Sequence, residues 1–256
     1  MSSTVTIRPN GSGTITERVT VSSKLASMMR GMQQMGDSTG TSQKLFSKKD
    51  VRARADSLSG VRLKSTKMIS TLEKEGYQAV YAFGNINEAQ LSPSPDDVMP
   101  ERASQKSGEG GPSELLSQID MSFTPGTPAT LTITMPRDTS GEEGLTGDSF
   151  SMNTPGEGPP SDQQLRMMRQ MMTDTGFRLA VTIDGEIVGT NATHRSGSTI
   201  TLMEMDFGTL ARDSSAFAQL MVNDQQPESP QAAIDSLNAL PGVNIEPQRT
   251  VTVRFR

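Results

Sequence analysis

Two hydrophobic periods alternate along this chain. Val5 and Ile7 are separated by polar residues, and Ile15, Val19 and Val21 resume the two-residue rhythm after Pro9-Asn10-Gly11-Ser12-Gly13. Residues 4–21 are therefore predicted to form a β-hairpin around a glycine-bearing turn. Ser22-Ser23 then offers a helix cap, and Leu25, Met28, Met29, Met32 and Met35 follow at helical spacing, predicting a helix over about 24–35. A second helix is expected at 47–58, capped by Ser47, with Val51, Ala55 and Leu58 on one face. Val61 and Leu63 alternate with Arg62 and Lys64, predicting a strand from 61 toward 72. The clearest strand of this half is 77–83, where Tyr77, Ala79, Tyr81 and Phe83 share a face.

Strands are also expected at about 117–123 and 129–136, joined by Thr124-Pro125-Gly126-Thr127, and a helix at 161–174. Residues 177–183 and 186–193 read as a hairpin across Asp184-Gly185, a type I′ signal, with another strand at 198–205. Phe207 to Leu210 leads out of the sheet. Helices at 213–221 and 229–239 precede a closing strand carrying Val251, Val253 and Phe255. Proline, glycine and scattered charge mark long loops at about 92–113 and 137–161. This order predicts an α+β fold: a mainly antiparallel sheet built from hairpins, with helices packed on one face. The apolar stock is lean, with 33% hydrophobic residues, and favours one domain over 1–256 rather than two.

Composition removes several chemistries. There is no Cys, so disulfides, thiol nucleophiles and thiolate-held metals are excluded, and His194 is the one imidazole. No Walker, Rossmann or nucleophile-elbow motif occurs, and no cofactor, metal or enzymatic activity is expected. The net charge of −5 and the 4% aromatic content give no reason to expect nucleic acid. No run of apolar residues is long enough for a membrane-spanning helix, and the first 30 residues lack a signal-peptide core.

Two features stand out. The chain holds 17 Met, and Met28, Met32 and Met35 fall on one helical face; Met167 and Met171, and Met168 and Met172, repeat the spacing. Thioethers serve as core filler, as an adaptable apolar surface or as soft-metal ligands; the scarcity of His and Cys argues against metal. The second feature is a basic run. From Lys44 to Lys67, eight cations, including Arg52, Arg54, Lys64 and Lys67, face only Asp50 and Asp56. Such a run is either a solvated face or an attractor of anionic head groups. Asn191-Ala192-Thr193 fits both a glycosylation sequon and plain hairpin chemistry.

Three stretches carry a family resemblance: TVTIRPNGSGTITERVTVSSKLASMM at 4–29, EGYQAVYAFGNINEAQL at 75–91 and FRLAVTIDGEIVGTNATHRSGSTITL at 177–202. In order and pattern they resemble the LppM type of bacterial envelope lipoprotein domain. The resemblance implies an extracytoplasmic, cell-envelope location and a cavity suited to lipids. It implies membrane association only through an N-terminal lipid anchor, whose cysteine would stand where Met1 does and which this chain does not carry.

The expected function is therefore a non-enzymatic envelope domain that binds a lipid or other amphiphile. Met28, Met32, Met35, Tyr77, Tyr81 and Phe83 would form its apolar wall, and Arg52, Arg54, Lys64 and Lys67 would hold the head group. The competing expectation is a structural module that contacts another envelope protein without a small-molecule ligand.

Overall fold

The computed structural model describes residues 1–36, 45–89, 119–135, 161–221 and 229–256. Strands β1 (Ser2–Ile7) and β2 (Gly13–Ser22) pair antiparallel, with Val5 opposite Ile15. Gly11 closes their turn at φ +79°, and a Cβ there would lie 2.6 Å from the Phe123 ring, so both conformation and space require glycine. Helix α1 (Ser23–Gly36) opens where Ser22 Oγ accepts the Leu25 N–H at 3.2 Å. Helix α2 (Lys48–Ser57) opens on Ser47, whose Oγ accepts the Asp50 N–H at 3.2 Å. The hairpin β3 (Val61–Ser70) and β4 (Lys74–Phe83) follows, and a 3₁₀ turn (Ile86–Glu88) closes this half.

Next come β5 (Asp120–Thr124), β6 (Ala129–Thr134) and α3 (Asp162–Met172), the last opened by a reciprocal capping box between Ser161 and Gln164. Strands β7 (Gly176–Ile183), β8 (Ile187–Thr190), β9 (Arg195–Ser196) and β10 (Thr199–Asp206) precede α4 (Phe207–Arg212), α5 (Ser214–Met221) and α6 (Pro230–Asn238). Strands β11 (Val243–Ile245) and β12 (Thr250–Phe255) end the chain. The α+β class and the mostly antiparallel pairing follow the alternation in the sequence. The loops expected at about 92–113 and 137–161 lie outside the described residues, save Ser161.

The strands form two sheets, not one. The larger has the order β11-β10-β7-β1-β2-β4-β3, with β9 on β10; among the described residues its one parallel pair is β1 with β7. The smaller has the order β5-β6-β12-β8. One continuous apolar core joins both sheets and the helices: Ile7, Ile15 and Ile183 from the larger sheet, Leu131, Val253 and Phe255 from the smaller, and Val51, Phe217 and Ile234 from helices.

The hairpin expected across Asp184-Gly185 does not form. A type I′ turn needs positive φ at both central residues, and neither has it. Instead the segment carries the chain from one sheet to the other. Asp184 N–H donates to Ile7 O at 2.8 Å, and Glu186 N–H donates to Arg256 O at 2.8 Å. Gly185 is small for a different reason: the Arg256 carbonyl stands 2.6 Å from where its Cβ would be. The segment Phe207 to Leu210, expected only to leave the sheet, is helix α4, with the Asp206 side chain accepting from the Thr209 N–H.

Candidate ligand-binding groove

Alternation along β4 turns Tyr77, Ala79, Tyr81 and Phe83 inward, and all four are buried. The two tyrosines sit in the buried core. Phe46 meets Tyr77 edge-on, with ring centroids 5.9 Å apart. The Tyr77 hydroxyl donates to Glu17 Oε1, and Arg54 Nη1 donates to the same oxygen at 2.9 Å. Burial, followed by the charge of Glu17, pushes the Tyr77 hydroxyl far above the ordinary tyrosine range. Burial also pushes Tyr81 up to about 12, and among the described residues its hydroxyl has no hydrogen-bond partner.

Arg54 is thus committed to the core, not to a head group. The sequence carried two signals for this. Arg54 shares a helical face with the buried Val51 and Ala55, and Glu17 occupies an inward position between Ile15 and Val19. An acid on an inward strand position and a cation on an inward helix face call for one another. Of the other expected contacts, Arg52, Lys64 and Lys67 are exposed. Met28 is 52% exposed on α1 and does not join the tyrosines; the side chains of Met32 and Met35 lie outside the described residues. On α3, Met167 is 58% exposed, whereas Met168 and Met172 pack against the core.

An opening does exist beside Phe83, at the end of the larger sheet. It is a groove of about 460 Å³ whose apolar part is Val61, Ala82 and Phe83 and whose polar part is Arg8, Arg62 and Lys64. Three glycines at its margin, Gly13, Gly60 and Gly84, keep it shallow-walled. Gly60 stands at φ +73°, and a Cβ there would fall 2.0 Å from the Glu88 carbonyl oxygen, so the 3₁₀ turn can close over the start of β3 only on glycine. A register shift between Leu63 and Ser65 leaves Lys64 in a bulge. Arg8 lies 3.5 Å from Asp184, but among the described residues neither Arg62 nor Lys64 is in a salt bridge. Of the expected site residues, Phe83 and Lys64 meet here. Arg62 belonged to the same basic run but was not singled out, because its position only gains meaning from the neighbouring strand ends.

His194 is half-buried in a turn, its Nε2 lying 3.2 Å from the Ile245 carbonyl oxygen. The buried Glu246 carboxylate accepts the N–H groups of Thr193 and Gln248 at 2.8 and 3.1 Å, fixing that turn. Among the described residues no group of three or more His, Cys, Asp or Glu could hold a metal, and no helix is long and apolar enough to cross a membrane.

The fold is an α+β domain of two sheets, and one open groove on it is part apolar and part cationic, with Arg62 and Lys64 in no salt bridge among the described residues. No family model and no curated protein sequence matches the chain. Among solved structures it is similar to the folded domain of LppM from Mycobacterium tuberculosis, at 10% identity over 99% of this chain and 88% of that one, with a TM-score of 0.27. A likeness at that level carries no argument about fold or function.

Proposed function

We propose that this protein is a non-enzymatic binding domain whose groove takes an amphiphile with an anionic head. The reading rests on one observation: Arg62 and Lys64, with no carboxylate partner among the described residues, stand beside Val61, Ala82 and Phe83 in a single concavity. Its volume falls within the usual range for small-molecule sites. The apolar part of the ligand loses contact with water against Phe83 and Val61, at roughly 25 cal/mol per Å² of buried area. The cations take the head group through charge-assisted hydrogen bonds. Placement in a bacterial envelope belongs to the same proposal.

Calorimetric titration with octyl phosphate, kept below its micellar concentration, tests it. Arg62→Gln and Lys64→Gln should each weaken binding about tenfold, the usual loss for a hydrogen bond to a charged group. Equal affinity for octyl phosphate and uncharged octyl glucoside, or no binding of either, would sink the reading. A second reading, contact with another protein, is supported by the exposed Met28 and Met167.

A further inference from the structure

The outer face of the larger sheet, opposite the core, is strongly biased in charge at its β2-β4-β3 end. Register sets Arg18, Gln78 and Lys67 abreast, then Thr14, Ala82 and Arg62, with Lys74 beside Ser22. Lys64 adds a fifth cation from the bulge. The remaining outward positions of these strands are threonine, serine, glycine or aliphatic residues, and none is acidic: Glu17 and Glu75 fall on the inward register, paired to Arg54 and Arg30. Among the described residues none of the five cations is in a salt bridge. All this sits in a chain whose net charge is −5.

At one end of the same face stands Leu72, 98% exposed at the tip of the β3–β4 hairpin. The tip is not loose. Thr71 Oγ1 accepts the N–H groups of Glu73 and Lys74, at 3.3 and 2.9 Å, and the Glu73 carbonyl accepts the Ser23 N–H at 2.8 Å. A rigid turn therefore holds a leucine out in water beside a cationic sheet.

We propose that this face docks on an anionic lipid bilayer, with Leu72 entering the acyl boundary and Arg18, Lys67 and Lys74 lying on the phosphate plane. A sheet face offers its cations together to a planar surface, and each cation near such a surface strengthens attachment about fivefold. Aromatic stacking platforms, which single-stranded nucleic acid requires, are missing from these outward positions. The proposal adds to the groove reading without depending on it. Thr14, Ala82 and Arg62 belong both to this face and to the groove.

Vesicle co-sedimentation tests this. The protein should bind vesicles of phosphatidylcholine mixed with phosphatidylglycerol and ignore pure phosphatidylcholine. The double substitution Arg18→Gln with Lys67→Gln should weaken binding by roughly 25-fold, and Leu72→Asn by about tenfold. Since the chain has no tryptophan, Leu72→Trp places a single indole at the tip. Its emission should shift to the blue on anionic vesicles and be quenched by brominated acyl chains. Indifference to anionic lipid, unchanged binding by the Arg18/Lys67 variant, or tighter binding to a duplex oligonucleotide than to vesicles would overturn the proposal. Octyl phosphate titrations of the Leu72→Asn protein separate the two readings: groove binding should persist there even when vesicle binding is lost.

Discussion

Arg54 on α2 reaches Glu17 on β2 inside the core, with side chains only 9% and 5% exposed. The pair fastens a helix to a sheet. Its stability contribution is asymmetric, because desolvating both charges offsets most of their attraction, whereas stranding one of them is costly. Arg54→Met should therefore destabilise by about 3–5 kcal/mol in urea denaturation. The triple replacement Glu17→Leu, Arg54→Met and Tyr77→Phe, which removes the three side chains that bond one another here, should recover most of that loss. A triple variant less stable than Arg54→Met alone would show that the network itself, and not the unpaired carboxylate, carries the stability.

The two tyrosines of the chain, Tyr77 and Tyr81, are both in this cluster, and there is no tryptophan. Near-ultraviolet absorbance therefore reports on the cluster alone. Both hydroxyls are raised above their ordinary value of 10.0, Tyr81 to about 12 and Tyr77 further, by burial first and Glu17 second. The unfolded chain gives up these protons more readily than the folded one. The contribution is therefore fully present below pH 10.0 and is lost as pH rises through the folded values. An alkaline titration should show tyrosinate absorbance appearing together with the loss of far-ultraviolet dichroism, in one cooperative step. Tyrosinate forming near pH 10.0 on a still-folded protein would contradict the burial of these rings.

What the sequence made legible was local. The alternation of Tyr77, Ala79, Tyr81 and Phe83 and the cap at Ser47 both rest on interactions within a few residues, and both stand in the structure. The aromatic face was legible as a face but not as a filled core, because nothing in β4 says which element will cover it. Asp184-Gly185 misled for a related reason. The dipeptide suits a tight hairpin, but Ile7 and Arg256, at opposite ends of the chain, bid for its neighbours' backbone groups and won. The groove was half-visible. Lys64 and Phe83 could be named, but only the pairing of β3 with β4 puts them in one concavity.

One polar tie between the two sheets runs through Asn87, in the 3₁₀ turn that follows β4. Its Oδ1 accepts the Phe123 N–H at 2.6 Å and its Nδ2 donates to the Phe123 carbonyl at 3.0 Å, so one amide does the work of a neighbouring strand residue on the free edge of β5. Phe123 in turn packs on Phe255, centroids 6.3 Å apart, and on Gly11 in the β1–β2 turn. Asn191 does the same for β12, receiving the Thr252 N–H at 2.7 Å and donating to Thr250 O at 2.9 Å, which gives the sequon-like Asn191 a structural occupation. A carboxylate can accept but cannot donate. Asn87→Asp should keep the first bond, lose the second and set two oxygens against each other, costing about 1–3 kcal/mol at neutral pH. Protonation restores a donor, so the gap to the unsubstituted protein should narrow as pH falls toward about 4, the ordinary carboxylate range. Asn87→Ala should cost a similar amount without that pH dependence. Urea midpoints for the three proteins at the two pH values decide the matter. A cost below about 0.5 kcal/mol for both variants would mean that the apolar packing of Phe123 on Gly11 in the β1–β2 turn holds β5 against the larger sheet unaided.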